Sequence, residues 1–173
     1  MNEVMSAILT RRSIRKFIDQ PIPEDILKDI VEAALHAPSG MGKQTWQFTM
    51  ITNKDVISRL AVAIGKELDR KGYDIYKPAA LLMVSNITGG NWTKEDNACA
   101  LENAFLAAHS YGVGSVWINQ MQNINDRPAI RSILNELGVP SNHSVTGMAA
   151  LGYADPESPV LPIKRIGKVV YIK

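Results

Sequence analysis

One stretch limits the folds open to this chain more than any other. Residues 97–112, "NACALENAFLAAHSYG", are apolar or small nearly all round a helical wheel. Such a helix offers water no polar face, so other elements must bury it on most sides. Those elements can be read on both flanks. Residues 3–9 form a short helix. "IPEDILKDIVEAALHA" (22–37) is amphipathic, with Ile26, Leu27, Ile30, Val31, Ala34 and Leu35 at helical spacing. Pro23, Glu24 and Asp25 suit its first turn, and Pro38-Ser39-Gly40 stops it. "WQFTMIT" (46–52) reads as a strand. Asn53 caps a helix over 54–71, with Val56, Leu60, Ile64 and Leu68 on one face. "AALLMVS" (79–85) is a buried-type strand, and 86–93 is a polar loop.

After the all-apolar helix come a strand at 114–119, a helix at 127–138 ending on Gly138, and a strand at 144–153. "DPESPVLP" reads as an extended linker, and "KVVYIK" (168–173) as a closing strand. Strict strand–helix alternation is missing, so the class is α+β rather than doubly wound. No repeat, low-complexity tract or second domain is visible, and 1–173 reads as a single domain. The closing strand needs a sheet edge to pair with, in its own chain or in a partner subunit.

Composition matters mainly through charge. The net charge is only +2, yet "RRSIRK" (11–16) holds four basic residues. Lys164, Arg165, Lys168 and Lys173 add four more at the other end. With those eight set aside, 11 basic residues stand against 17 acidic ones, a balance of −6. The gathered charge is either two solvated segments or two ends converging on one small anion. A nucleic-acid surface would want a broader basic stripe with interleaved aromatics, and only Phe17 accompanies the first cluster. No apolar run reaches the roughly 20 residues of a membrane span, and "MNEVMSAILT" is too short and polar for a signal peptide. A single cysteine, Cys99, suits a reducing compartment, so a cytoplasmic location is expected.

If "RRSIR" is extended, Arg11, Ser13 and Arg15 share one face, each about 6.6 Å from the next. Two guanidinium forks flanking a hydroxyl suit a phosphate monoester. The bland alternative is a surface turn with three solvated arginines. "APSGMGKQTW" (37–46) resembles a phosphate loop only superficially. Ala37 stands where the first glycine of G-x-x-x-x-G-K-[ST] belongs, and Gln44 replaces the hydroxyl. His36, His109, His143 and Cys99 have no metal-ligand spacing. No G-x-S-x-G elbow supports a serine hydrolase. "GVG" at 112–114 precedes a strand instead of following one, unlike the dinucleotide fingerprint.

Taken in order, "RRSIRKF", the amphipathic helix, "APSGMGKQTWQF", "YGVGSVWINQ" and "LGYADPE...PIKR" resemble the nitroreductase family of FMN-dependent oxidoreductases. The resemblance spans residues 4 to 172. It implies a mostly antiparallel central sheet flanked by helices, with the C-terminal strand exchanged between subunits of a homodimer. It places Arg11, Arg12 and Ser13 at the phosphate and ribityl end of FMN, and Arg15 at the pyrimidine edge. Pro38, Ser39, Gly40 and Met41 would cover the flavin from the other subunit. Backbone groups of Asn119 and Gln120 would pass N5, and Lys164 or Arg165 would return to the phosphate. The implied reaction is a ping-pong hydride transfer from NADH or NADPH to a nitroaromatic, quinone or enone, with no side chain named as catalytic acid or base and no metal. This sequence departs from the family at Gly42 (often Asn), Thr45 (commonly Pro), Asn119-Gln120 (often a Gly- or Glu-containing pair) and the short 86–97 loop. Rival readings are a non-catalytic flavin-binding protein, a relative that processes the flavin itself, and an interaction protein whose basic ends bind an acidic partner.

Overall fold

The computed structural model describes residues 2–158 and 164–173. Five helices and four strands follow one another as α1 (Glu3–Thr10), α2 (Glu24–Leu35), β1 (Gln47–Ile51), α3 (Lys54–Glu67), β2 (Ala80–Ile87), α4 (Thr93–Ser110), β3 (Gly114–Ile118), α5 (Pro128–Glu136) and β4 (His143–Gly152). The strands form one antiparallel sheet in the order β1-β2-β4-β3.

The sheet is covered on both faces, which explains the unbroken apolar run of β2. Alternate residues point to opposite sides of a strand. Leu81 and Met83 pack with Leu60 and Ile64 of α3 and with Ile130 and Leu134 of α5. Leu82 and Val84 pack with Ile30 and Ala34 of α2 and with Leu101, Ala104 and Phe105 of α4. Each large aliphatic side chain buried in this way contributes about 1.5–3 kcal/mol before entropy is counted. The largely apolar helix is α4; its alanines at 100, 104 and 108 are fully buried, while Cys99 and Glu102 face outward. Those alanines let it lie close to β4. A Cβ added at Gly147 would come within 2.5 Å of the Trp117 ring and 2.9 Å of Leu101.

Most boundaries fall within two residues of the sequence reading, and three readings differ by more. Helix α3 ends at Glu67 instead of continuing to 71, because Asp69 adopts a left-handed φ of 49° that no helix accommodates. Helix α4 starts at Thr93, four residues early. Its polar first turn is tucked inward, with Thr93, Asp96 and Asn97 all buried. Residues 168–173 form no strand within one chain. Val169, Val170, Tyr171 and Ile172 are 68–95% exposed. Half of the linker assigned to "DPESPVLP", residues 159–162, lies outside the described residues.

Candidate cofactor site

The basic stretch is laid along the outer edge of the sheet. Arg11 leaves α1 with φ −54° and ψ 137°, its N–H still bonded to the Ala7 carbonyl at 2.9 Å. The chain is then extended. Ser13 forms a parallel bridge to Ser115 of β3, and Ile14 N–H donates to the Ser115 carbonyl at 2.9 Å. Gly114 makes room for this, since a Cβ there would sit 2.8 Å from Ile14. Phe17 pairs with Ala154, and Asp155 N–H donates to the Lys16 carbonyl at 3.0 Å. The Lys16 ammonium lies 2.8 Å from Asp155. Its hydrogen bond, with another from the Glu157 N–H, holds that carboxyl below its usual range. Both ends of the stretch are therefore pinned to the strand ends.

Its side chains are used differently from one another. The Arg11 guanidinium sits 5.8 Å from the Phe105 ring centroid, with Nε 3.9 Å from Glu102. Arg12 donates to the Leu9 and Arg11 carbonyls, each at 2.8 Å, so it is engaged by backbone. Arg15 is exposed and joins no ion pair among the described residues. Beside Ser13, the hydroxyl of Ser115 is buried with no hydrogen-bond partner. Just past the C-terminal end of β3 stand Asn119 and Gln120, four and five residues on from Ser115. Asn119 Oδ1 accepts from Trp117 Nε1 at 3.1 Å and from Gln122 Nε2 at 2.9 Å. Asn119 N–H donates to Gln120 Oε1 at 3.0 Å, so in this structure a side chain holds that backbone donor.

The loop after α2 lies at the other side of α4. Gly40–Gly42 forms a single 3₁₀ turn, and Met41 inside it is left-handed (φ 55°) and 79% exposed. Gly40 N–H donates to Asp96 Oδ1 at 2.8 Å, and Gln44 N–H to Ser39 Oγ at 3.2 Å. Thr45 Oγ1 donates to Asn86 Oδ1 at 2.7 Å, a bond a proline could not make. Pro38, Ser39, Gly40 and Met41 are thus held together, but not against the arginines of their own chain by any hydrogen bond among the described residues. Lys164 and Arg165 are exposed and make no ion pair among the described residues.

The donor set fits FMN. The Arg11 guanidinium and the Ser13 hydroxyl are donors of the kind a phosphate takes, and Arg15 stands exposed two residues further along the stretch. Glu102 is the one discordant group. It is 55% exposed, and an exposed ion pair is worth only about 0–1 kcal/mol. A charged hydrogen bond to phosphate, at about 1.5–3 kcal/mol, outweighs it. Sequence reasoning missed Glu102, Phe105, Trp92 and Asp96. The first two face Arg11 from α4, and helical spacing alone does not say which neighbour a helix face meets. A separate cavity of about 570 Å³ lies on the α3 side between Phe17, Ile57, Val62, Tyr73 and Pro78. Burial pushes the Tyr73 hydroxyl there up to about 12. None of the site residues lines it.

Fold and site together define a class of α+β proteins with a basic stretch bound along the outer edge of an antiparallel sheet. The whole chain superposes on the crystal structure of a Bacteroides fragilis nitroreductase with bound FMN, at 39% identity, TM-score 0.90 and full coverage of both chains. An FMN-dependent nitroreductase of Clostridium difficile is 30% identical over 91% of each chain, with a TM-score of 0.77. A relative from Archaeoglobus fulgidus, whose name couples NADH dehydrogenase with NAD(P)H nitroreductase, is 31% identical over 91% of this chain and 88% of its own length. The nitroreductase family model matches residues 8–80 and 74–153, and the chain belongs to that family.

Proposed function

We propose that this chain is an FMN-dependent oxidoreductase that works as a homodimer. It would pass electrons from NADH or NADPH to a small oxidised acceptor such as a nitroaromatic, a quinone or an enone. The observation that carries this reading is the pinned arginine stretch, with Ser13 bridged to Ser115 of β3 and Asn119 just past the end of that strand. FMN, when bound, supplies reversible two-electron transfer at N5 between donor and acceptor occupying the same space in turn.

The residues then divide the work. Arg11 and Ser13 hold the phosphate, and Arg12 braces the turn out of α1. Arg15, with no ion pair among the described residues, would present positive charge to the pyrimidine edge, where it would favour an anionic reduced ring. Backbone groups of Asn119 and Gln120 would pass N5, the Asn119 N–H once the Gln120 side chain releases it. No side chain stands out as a proton donor, and solvent is free to fill that role.

The second subunit follows from what one chain leaves uncovered. Strand β1 pairs only with β2 among the described residues, so its outer edge is open. The tail carries exposed Ile166, Val169, Val170, Tyr171 and Ile172, and α1 exposes Val4, Met5, Ile8 and Leu9. An open strand edge beside an apolar segment invites pairing with another copy. That pairing would bring Lys164 and Arg165 to a phosphate and loop 38–41 over the partner's flavin. An exposed Cys99 suits a cytoplasmic setting.

Purified protein should be yellow, release FMN on denaturation and oxidise NADH or NADPH. Colourless protein that takes up no FMN on titration would overturn the assignment. Bound flavin with no turnover of either nicotinamide would favour a flavin-binding role without catalysis.

A further inference from the structure

The short loop before α4 has no helical insert, yet it delivers one large side chain to the flavin-covering loop. Gly40 lies directly against the Trp92 ring. A Cβ at residue 40 would meet Trp92 Cδ2, Cε3 and Cγ at 2.4, 2.5 and 2.6 Å. The Lys43 ammonium lies over the same ring, 5.6 Å from its centroid. One turn into α4, the Asp96 carboxylate, only 7% exposed, accepts the Gly40 N–H at 2.8 Å. The far end of the loop is tied as well. Thr45 reaches Asn86, Asn86 Nδ2 reaches Asn97 Oδ1 at 3.3 Å, and Asn97 Nδ2 reaches Thr146 Oγ1 at 2.9 Å. Between these anchors lie three residues with left-handed φ: Met41 (55°), Gly42 (65°) and Gln44 (47°). Two of them are not glycine, and such a backbone persists only where its surroundings enforce it.

We propose that Trp92 and Asp96 are positioning residues. They latch residues 39–43 in the one shape that covers the flavin, and Gly40 is required because the indole fills the place of its side chain. This rests on the flavin reading above, with the latch of each chain serving the site its loop covers. Gly40 has no left-handed φ, so Gly40→Ala costs nothing in backbone and acts only by displacing the ring. The latch therefore makes an unusual demand. Gly40→Ala should be damaging when Trp92 is present and silent when it is absent, a coupling that independent sites do not show.

Two measurements test it. Trypsin cleavage after Lys43 in the flavin-free protein reports loop freedom without reference to any ligand. FMN titration of the same protein reports the site. Trp92→Ala, which removes the ring packed on Gly40, and Asp96→Ala, which removes the acceptor of the Gly40 N–H, should be cut faster at Lys43 and bind FMN about tenfold more weakly. Trp92→Phe should restore both readouts. Gly40→Ala should resemble Trp92→Ala, and the double variant should be no worse than either. Unchanged cleavage, or faster cleavage with unchanged FMN affinity, would overturn the proposal. So would additive losses in the double variant. Faster cleavage in a chain whose parent takes up no FMN would overturn the flavin reading and not the latch. A circular-dichroism melt of each variant separates these outcomes from misfolding.

Discussion

Arg11 makes the clearest residue-scale case because its two present neighbours are weak. A ring face at 5.8 Å and a half-exposed carboxylate at 3.9 Å hold the guanidinium in place without saturating its donors. Arg11→Ala should weaken FMN binding by about 1.5–3 kcal/mol, read by fluorescence quenching, while the melting temperature stays nearly constant. Unchanged affinity would remove Arg11 from the phosphate site. His143 offers a pH test of the fold. Its Nδ1 lies 3.2 Å from Ser85 Oγ, and burial, with the Arg131 guanidinium second, pushes its pKa below 6.5. The unfolded chain therefore takes up a proton first as pH falls. The stability from keeping this ring neutral is present above about 6.5 and is lost as pH drops from there toward the folded value. Melting temperature should fall across that window, and His143→Gln should flatten the slope there.

At the scale of elements, what could be read from the sequence followed periodicity. Ile30 and Ala34 announced α2, and the run Ala80–Val84 announced a strand buried on both faces. What could not be read were elements whose polar residues turn inward. Thr93, Asp96 and Asn97 look like loop chemistry in one dimension, yet they are the buried first turn of α4. The site divides in the same way. For "RRSIR" the sequence left an extended segment and a surface turn both open, and the structure has an extended segment bridged at Ser13. The partners that α4 brings to Arg11 and Gly40 are 56 or more residues away in sequence, where no local pattern reaches. Gly147 shows how closely that helix approaches the sheet. Gly147→Ala should drive a methyl into Trp117 and Leu101 and destabilise the fold by about 1–3 kcal/mol in urea denaturation. A wild-type midpoint would mean that α4 moves away without cost.

At the scale of the whole molecule, the proposed dimer would use what one chain leaves exposed. The chain's tail contributes nothing to its own core, because residues 164–173 are all exposed. Truncation after residue 163 should therefore leave the circular-dichroism spectrum unchanged. It should convert the protein to a monomer in sedimentation velocity and abolish flavin retention in the same step. A truncated chain that stays dimeric would show that the interface lies elsewhere, on α1 or α4.

The uncovered tail has a consequence for how such a protein behaves at low abundance. If each binding cleft needs two chains, holding the pigment becomes second order in polypeptide. Serial dilution should bleach a yellow solution faster than the dilution factor alone requires. A cell making little of this protein would then hold it largely empty, and activity would rise with the square of expression before it became linear.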